Sequence, residues 1–186
     1  MDKIIIFVLG VCVINTVVYY IFPYPELLIL NKEKCINQPW RFITYQFQHT
    51  SQKHLFENII GLFLVGFIAR DIDISFNNFV LTYLISIFVV IPLVLFVFPT
   101  NTVAGNSTGI YGILSFSLIK GRRFVPLRIT LPLFTLIIFL SPILNFINAG
   151  KMIIKQFQSS LYHFIGFISG IILYHLPKKK KIRILH

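Results

Sequence analysis

Six apolar runs alternate with shorter polar stretches along the chain: residues 4–22, about 55–69, 79–98, about 106–119, 127–147 and about 161–176. Each is long enough for a helix that crosses the roughly 30 Å hydrocarbon core of a bilayer, or most of it. None alternates apolar and polar residues one by one, as a strand of a membrane barrel does. The pattern therefore predicts an all-α membrane protein, a six-transmembrane-helix bundle.

The first run follows only Met1, Asp2 and Lys3 and has no small-x-small cleavage site after it. It reads as a signal anchor, not a removed signal peptide. Composition agrees with a membrane location: 56% of the 186 residues are hydrophobic, 12% are charged and mean hydropathy is +0.80. Soluble domains carry about 25% charged residues. No Gly-, Ser- or Pro-rich linker divides residues 1–186, no repeat is visible, and the single low-complexity tract is the lysine run at 178–181. The expectation is one domain ending in a basic tail, 177–186.

Basic residues set the orientation. With the N-terminus cytoplasmic, that side holds Lys3, Arg70, Lys120, Arg122, Arg123, Arg128, Lys178 to Lys181 and Arg183, eleven of the 17 Lys and Arg. The opposite side holds Lys32, Lys34, Arg41, Lys53, Lys151 and Lys155. Cytoplasmic loops carry the excess of Lys and Arg, so both termini are expected in the cytoplasm, with the protein multi-pass in the cell membrane. The net charge of +11 then reflects topology and contact of the tail with anionic lipids, without nucleic acid as a partner. The longest connection, residues 23–53, contains Tyr24, Trp40, Phe42, Tyr45 and Phe47, aromatics suited to the membrane interface. Cys12 and Cys35 are too few to frame disulfides or a metal cage.

Polar groups inside spans are costly in lipid and mark candidate chemistry. Four stand out: His54 and Asn58 at the start of the second span, Ser107 at the start of the fourth and His163 at the start of the sixth. These three spans all begin on the non-cytoplasmic side, so the four groups share one leaflet. His54 and Asn58, four apart, share a helix face. His163, Gly166 and Gly170 share another, and the two glycines allow close approach of a helix such as the fourth, with its Gly109 and Gly112. That packing brings the Ser107 hydroxyl to an imidazole, with Tyr111 one turn along. A hydroxyl within about 2.6–3.2 Å of a histidine is set up for nucleophilic attack. Oxyanion donors are His54, Asn58 and the backbone N–H of Ser107, each worth about 3 kcal/mol. No acidic residue is placed to orient His163, so a Ser-His dyad is expected, with no metal or cofactor.

"GNSTG" also fits the Gly-x-Ser-x-Gly nucleophile elbow of soluble esterases, but that turn needs a preceding strand in an α/β sheet, which the chain lacks. From Ser107 to Ile119 is only about 20 Å of helix. The serine then lies some 10 Å below the outer surface, and "FPTNTVAGN" dips into the membrane as irregular backbone buried in protein or lining a wet cavity.

Three stretches together resemble the rhomboid family of intramembrane serine proteases, over residues of about 36 to 175. "WRFITYQFQHTSQKHLFEN" is similar to the family's Trp-Arg loop followed by His-x4-His-x3-Asn, here Trp40, Arg41, His49, His54 and Asn58. "GNSTGIYG" resembles its Gly-x-Ser segment with a Tyr four residues on, Gly105, Ser107 and Tyr111, and "YHFIGFISG" its His-x2-Gly-x3-Gly, His163, Gly166 and Gly170. The resemblance implies Ser107 as nucleophile, His163 as base, an oxyanion hole of Ser107, His54 and Asn58, a structural His49, Tyr111 packed on His163, and transmembrane substrate proteins with small residues before the cut. One position departs: Thr108 stands where the family commonly has Gly, and its β-branch narrows the backbone freedom beside the oxyanion N–H. A catalytically weak or inactive relative that binds client helices is the alternative. A transporter is disfavoured by the lack of repeat symmetry.

Overall fold

The computed structural model describes residues 2–98, 102–150 and 153–176. The basic tail 177–186 and Lys151 lie outside the described residues. The fold is mostly helical. Helix α1 spans Lys3–Ile21, and Asp2 caps it by accepting from the Ile4 N–H at 2.8 Å. After it come a 3₁₀ turn at Pro25–Leu27, strand β1 (Leu30–Asn31) and two single turns, α2 (Lys32–Cys35) and α3 (Arg41–Thr44). Helix α4 (Gln52–Asp71) starts at Ser51, whose hydroxyl accepts from the His54 N–H, and α5 (Phe76–Phe88) starts at Ser75. A short α6 (Val90–Pro92) and a π-helical turn (Leu93–Val97) continue the same rod. Strand β2 (Thr102–Val103), α7 (Ser107–Lys120), α8 (Leu127–Ala149) and α9 (Ile154–His175) complete the order.

Among the described residues, three helical stretches are long and apolar enough to cross a membrane: Lys3–Ile21, Phe76–Val97 and Leu127–Ala149. The other long helices, α4, α7 and α9, carry the chemical residues, which shorten or dilute their apolar runs. The clearest example is α9. Hydropathy places an apolar segment at about 161–176, whereas the helix begins at Ile154. Lys155, Gln156, Gln158, Ser159 and Ser160 lower the apolarity of its first two turns without breaking the helix, since straight-chain polar residues are good helix formers. The third run, 79–98, loses regular α-helical bonding near its end. Pro92 has no N–H for the i−4 carbonyl, and the chain widens into the π turn that follows.

Helix α7 is the centre of the bundle, packed on α9, α5 and α4, while α8 touches mainly α9 and is largely uncovered. Lipid is as apolar as leucine, so such helices associate by close packing and interhelical hydrogen bonds more than by hydrophobic burial. Both means are present at the α7–α9 seam. A Cβ on Gly166 would collide with the Thr108 carbonyl, and one on Gly170 with the Gly112 carbonyl. Beside that seam, Ser86 of α5 bonds Ser169 of α9 at 2.5 Å, Ser169 donates to the Gly166 carbonyl at 2.7 Å, and Ser115 of α7 donates to the Phe167 carbonyl at 2.5 Å. These three buried hydroxyls tie α5, α7 and α9 into one rotational setting.

The long connection is pinned by Arg41, which is 2% exposed. Its guanidinium donates to the Glu26 and Ile29 carbonyls, both at 2.8 Å, and to Gln38 Oε1 at 2.6 Å. Cys12 and Cys35 are buried free thiols.

Candidate active site

Residues 102–106 deliver the serine. Thr102 and Val103 pair antiparallel with Asn31 and Leu30, which ties this part of the irregular segment before α7 to the first loop. Gly105 donates to the Tyr45 carbonyl at 2.9 Å and adopts φ +95°, a conformation that glycine alone takes readily. A side chain there would also meet the His54 ring, with Cε1 at 2.9 Å and Nε2 at 3.0 Å from the Cβ position. Asn106, fully buried, donates its side-chain amide to the Tyr83 hydroxyl at 2.8 Å. The chain then enters α7 at Ser107.

The Ser107 Oγ lies 2.8 Å from His163 Nε2. Tyr111, one turn along α7, stacks on the His163 ring with centroids 4.8 Å apart and planes inclined by 28°. Serine and histidine thus meet across the seam whose spacing Gly166 sets three residues beyond the imidazole. Among the described residues no carboxylate hydrogen-bonds His163. The ring is held by the hydroxyl on one side and the stacked phenol on its face.

Both groups line a cavity of about 620 Å3, together with Thr50, Ser51, Lys53, His54, Glu57, residues 102–105, Thr108, Lys155, Ser159 and Tyr162. His54 faces it from α4, and Thr50 Oγ1 is 3.3 Å from its Nδ1. A hydroxyl donating there leaves Nε2 as the protonated nitrogen, beside Gly105. Asn58 does not line the cavity directly. Its amide donates to the His54 carbonyl at 2.8 Å and lies 3.7 Å from the Cβ position of Gly105, which leaves the second amide hydrogen and an unpartnered, buried Oδ1.

His49 is buried behind His54, rings edge-on with centroids 5.0 Å apart, and its Nδ1–H donates to the Phe47 carbonyl at 3.3 Å. Burial and the neighbouring His54 lower its pKa to about 4, against smaller opposing contributions from the Phe47 carbonyl and the Asn106 side chain. Burial likewise raises the Tyr45 phenol well above its usual range, and its hydroxyl donates to the Ile87 carbonyl at 2.7 Å. Trp40, half-exposed, stands away from the cavity next to Arg41, whose contacts are all with the first loop. Thr108 is buried, with its Oγ1 unpartnered and its carbonyl against Gly166. It lies within helical backbone, which a β-branched residue enters at modest cost.

The structure therefore assembles Ser107, His163, His54 and Gly105 at one cavity, with Tyr111 stacked on the His163 ring, Asn58 and His49 one layer behind and Trp40 and Arg41 outside. Sequence reasoning passed over Thr50, Asn106 and the Ser86–Ser169–Ser115 ladder. The three serines sit in apolar runs, so the cost of a polar group in lipid was a signal for them. Thr50 had none, because it is a loop residue that acts through His54, four residues away on α4.

No curated protein matches the chain. The family model described as Rhomboid domain matches residues 36–178, a range that takes in the Trp-Arg loop, both elements of the serine-histidine pair and every helix that lines the cavity. By that match, over most of its length, the chain belongs to the rhomboid family of membrane proteins.

Proposed function

We propose that the protein is an intramembrane serine endopeptidase that cuts transmembrane substrate proteins in or near the outer leaflet. The observation that carries this reading is the 2.8 Å contact between Ser107 Oγ and His163 Nε2 inside a cavity. The rhomboid family generally contains serine intramembrane proteases, which supports it. His163 takes the hydroxyl proton through Nε2 as the serine oxygen attacks the scissile carbonyl carbon. The oxyanion is held by the Ser107 N–H and the His54 ring, with the Asn58 amide behind them, bonded to the His54 carbonyl. The imidazolium returns the proton to the leaving amine, and a water activated by the same histidine releases the acyl group. No metal or cofactor takes part.

In this reading all six long helical stretches cross the membrane, both termini are cytoplasmic and the protein is multi-pass in the cell membrane, with the basic tail on anionic lipid headgroups. Helical substrates have their carbonyls already hydrogen-bonded, so the cut segment must unwind, and Gly or Pro in it makes unwinding easier. The second reading is a weak or inactive relative that binds client helices, and Thr108 beside the nucleophile is the position that bears on it.

The test is incubation of the detergent-solubilised protein and its Ser107→Ala variant with a transmembrane reporter. Wild-type protein is expected to cut it and Ser107→Ala to leave it intact, and a serine-directed fluorophosphonate is expected to label wild type in a His163-dependent way. Equal cutting by both proteins rejects the proteolytic reading, and intact reporter with both leaves the binder.

A further inference from the structure

The cavity over the serine-histidine pair is not evenly charged. Among the described residues, three ionisable side chains other than histidine and tyrosine line it: Lys53, Glu57 and Lys155. Lys53 and Glu57, four apart on α4, are paired at 3.8 Å. Lys155 has no carboxylate within ion-pair distance among the described residues, so the lining presents one uncompensated positive charge. Its position is set by α9. Lys155, Ser159 and His163 follow one another at intervals of four, which stacks them on one face of the helix, and all three line the cavity. A polar stripe thus runs from an exposed cation, past an exposed hydroxyl, down to the partner of Ser107.

We infer that Lys155 is a specificity-determining residue that favours substrates with an acidic side chain about three or four residues from the cut bond, on the side leading out of the membrane. This rests on the proteolytic reading above. Eight residues of helix separate Lys155 from His163, about 12 Å along the axis. An extended peptide advances about 3.3 Å per residue, so a chain lying along the stripe brings its third or fourth residue level with the ammonium group when its carbonyl is at Ser107. A carboxylate there meets a cation that has no carboxylate partner among the described residues, while a lysine there meets like charge. The side chain is exposed, so the attraction is that of a partly screened pair, a preference of about threefold to fivefold.

The experiment uses full-length protein in detergent with transmembrane reporter peptides identical except at the fourth residue outside the cut, which is Glu, Gln or Lys. Product masses identify the bond cut, and the readout is the ratio of kcat/KM between reporters. Wild type is expected to prefer Glu over Gln by about threefold to fivefold at low salt, with the ratio falling towards one in about 0.5 M NaCl. Lys155→Arg is expected to keep the preference, and Lys155→Glu to reverse it in favour of Lys. Ser107-dependent cutting with ratios that Lys155→Glu leaves unchanged overturns the inference and spares the protease. Absence of any Ser107-dependent cutting overturns both.

Discussion

Gly166→Ala is the sharpest perturbation of the seam between α7 and α9. The new methyl carbon would stand 3.0 Å from both the carbonyl carbon and the Cα of Thr108, and closer to the carbonyl oxygen, where ordinary contact begins at 3.4 Å. These neighbours are backbone within a helix and cannot rotate away, so the helices must separate by about 0.5–1 Å, an overpacking strain that costs about 1–3 kcal/mol of stability. Thr108 is next to Ser107 and Gly166 is three residues from His163, so the opening falls on the pair itself. A separation of 2.8 Å becomes about 3.3–3.8 Å, around the roughly 3.5 Å limit of a hydrogen bond. A misplacement of this size lowers rate by about 100-fold, or about 2.7 kcal/mol in the barrier. The assay is reporter cleavage and fluorophosphonate labelling, alongside the thermal unfolding midpoint in the same detergent. Gly10→Ala is the control, since nothing lies within 4 Å of its Cβ position, and it should leave both measurements near wild type. A Gly166→Ala protein that cuts at the wild-type rate while Ser107→Ala is dead would refute the claim that backbone spacing at this seam sets the catalytic distance.

Two other outcomes follow from the geometry. His49 has a folded pKa of about 4 against an ordinary 6.5, so the unfolded chain binds more protons between those values. Stability is therefore full above about pH 6.5 and is lost as pH falls towards 4, by at most roughly 3 kcal/mol. Unfolding midpoints measured from pH 7.5 to 4.5 should drop less in His49→Phe than in wild type. For the serine ladder, a double-mutant cycle of Ser86→Ala and Ser169→Ala should give a coupling of about 0.6–1.7 kcal/mol, and strictly additive effects would show that the 2.5 Å contact does not tie the helices.

How much of the site was legible depends on how far apart its parts lie along the chain. Spacings of three and four report a shared helix face directly, which is why His163 with Gly166 and Gly170, and Ser107 with Tyr111, could be read as units. Arg41 could be noted only as half of a Trp-Arg pair. Beyond the nearby Gln38, its partners are the carbonyls of Glu26 and Ile29, and a carbonyl carries no residue identity for a motif to display. The same holds for Gly105, whose φ and whose closeness to the His54 ring depend on a loop held by Tyr45 and by the β1–β2 pairing. Hydropathy also misjudged where α9 begins, because it measures affinity for lipid and not the capacity to be helical.

From its sequence alone this protein is a membrane protein made of helices, because the energetic cost of bare backbone and of polar side chains in lipid leaves a plain mark on residue order; its place in the rhomboid family is carried by the motifs within residues 36–178. Which groups meet was decided in three dimensions. Ser107 and His163 are 56 residues apart and Ser86 and Ser169 are 83 apart, and contacts of that range depend on the rotation and spacing of whole helices. Those in turn are set by glycines against carbonyls and hydroxyls against hydroxyls at the centre of the bundle, where a shift of less than an ångström separates a hydrogen bond from none.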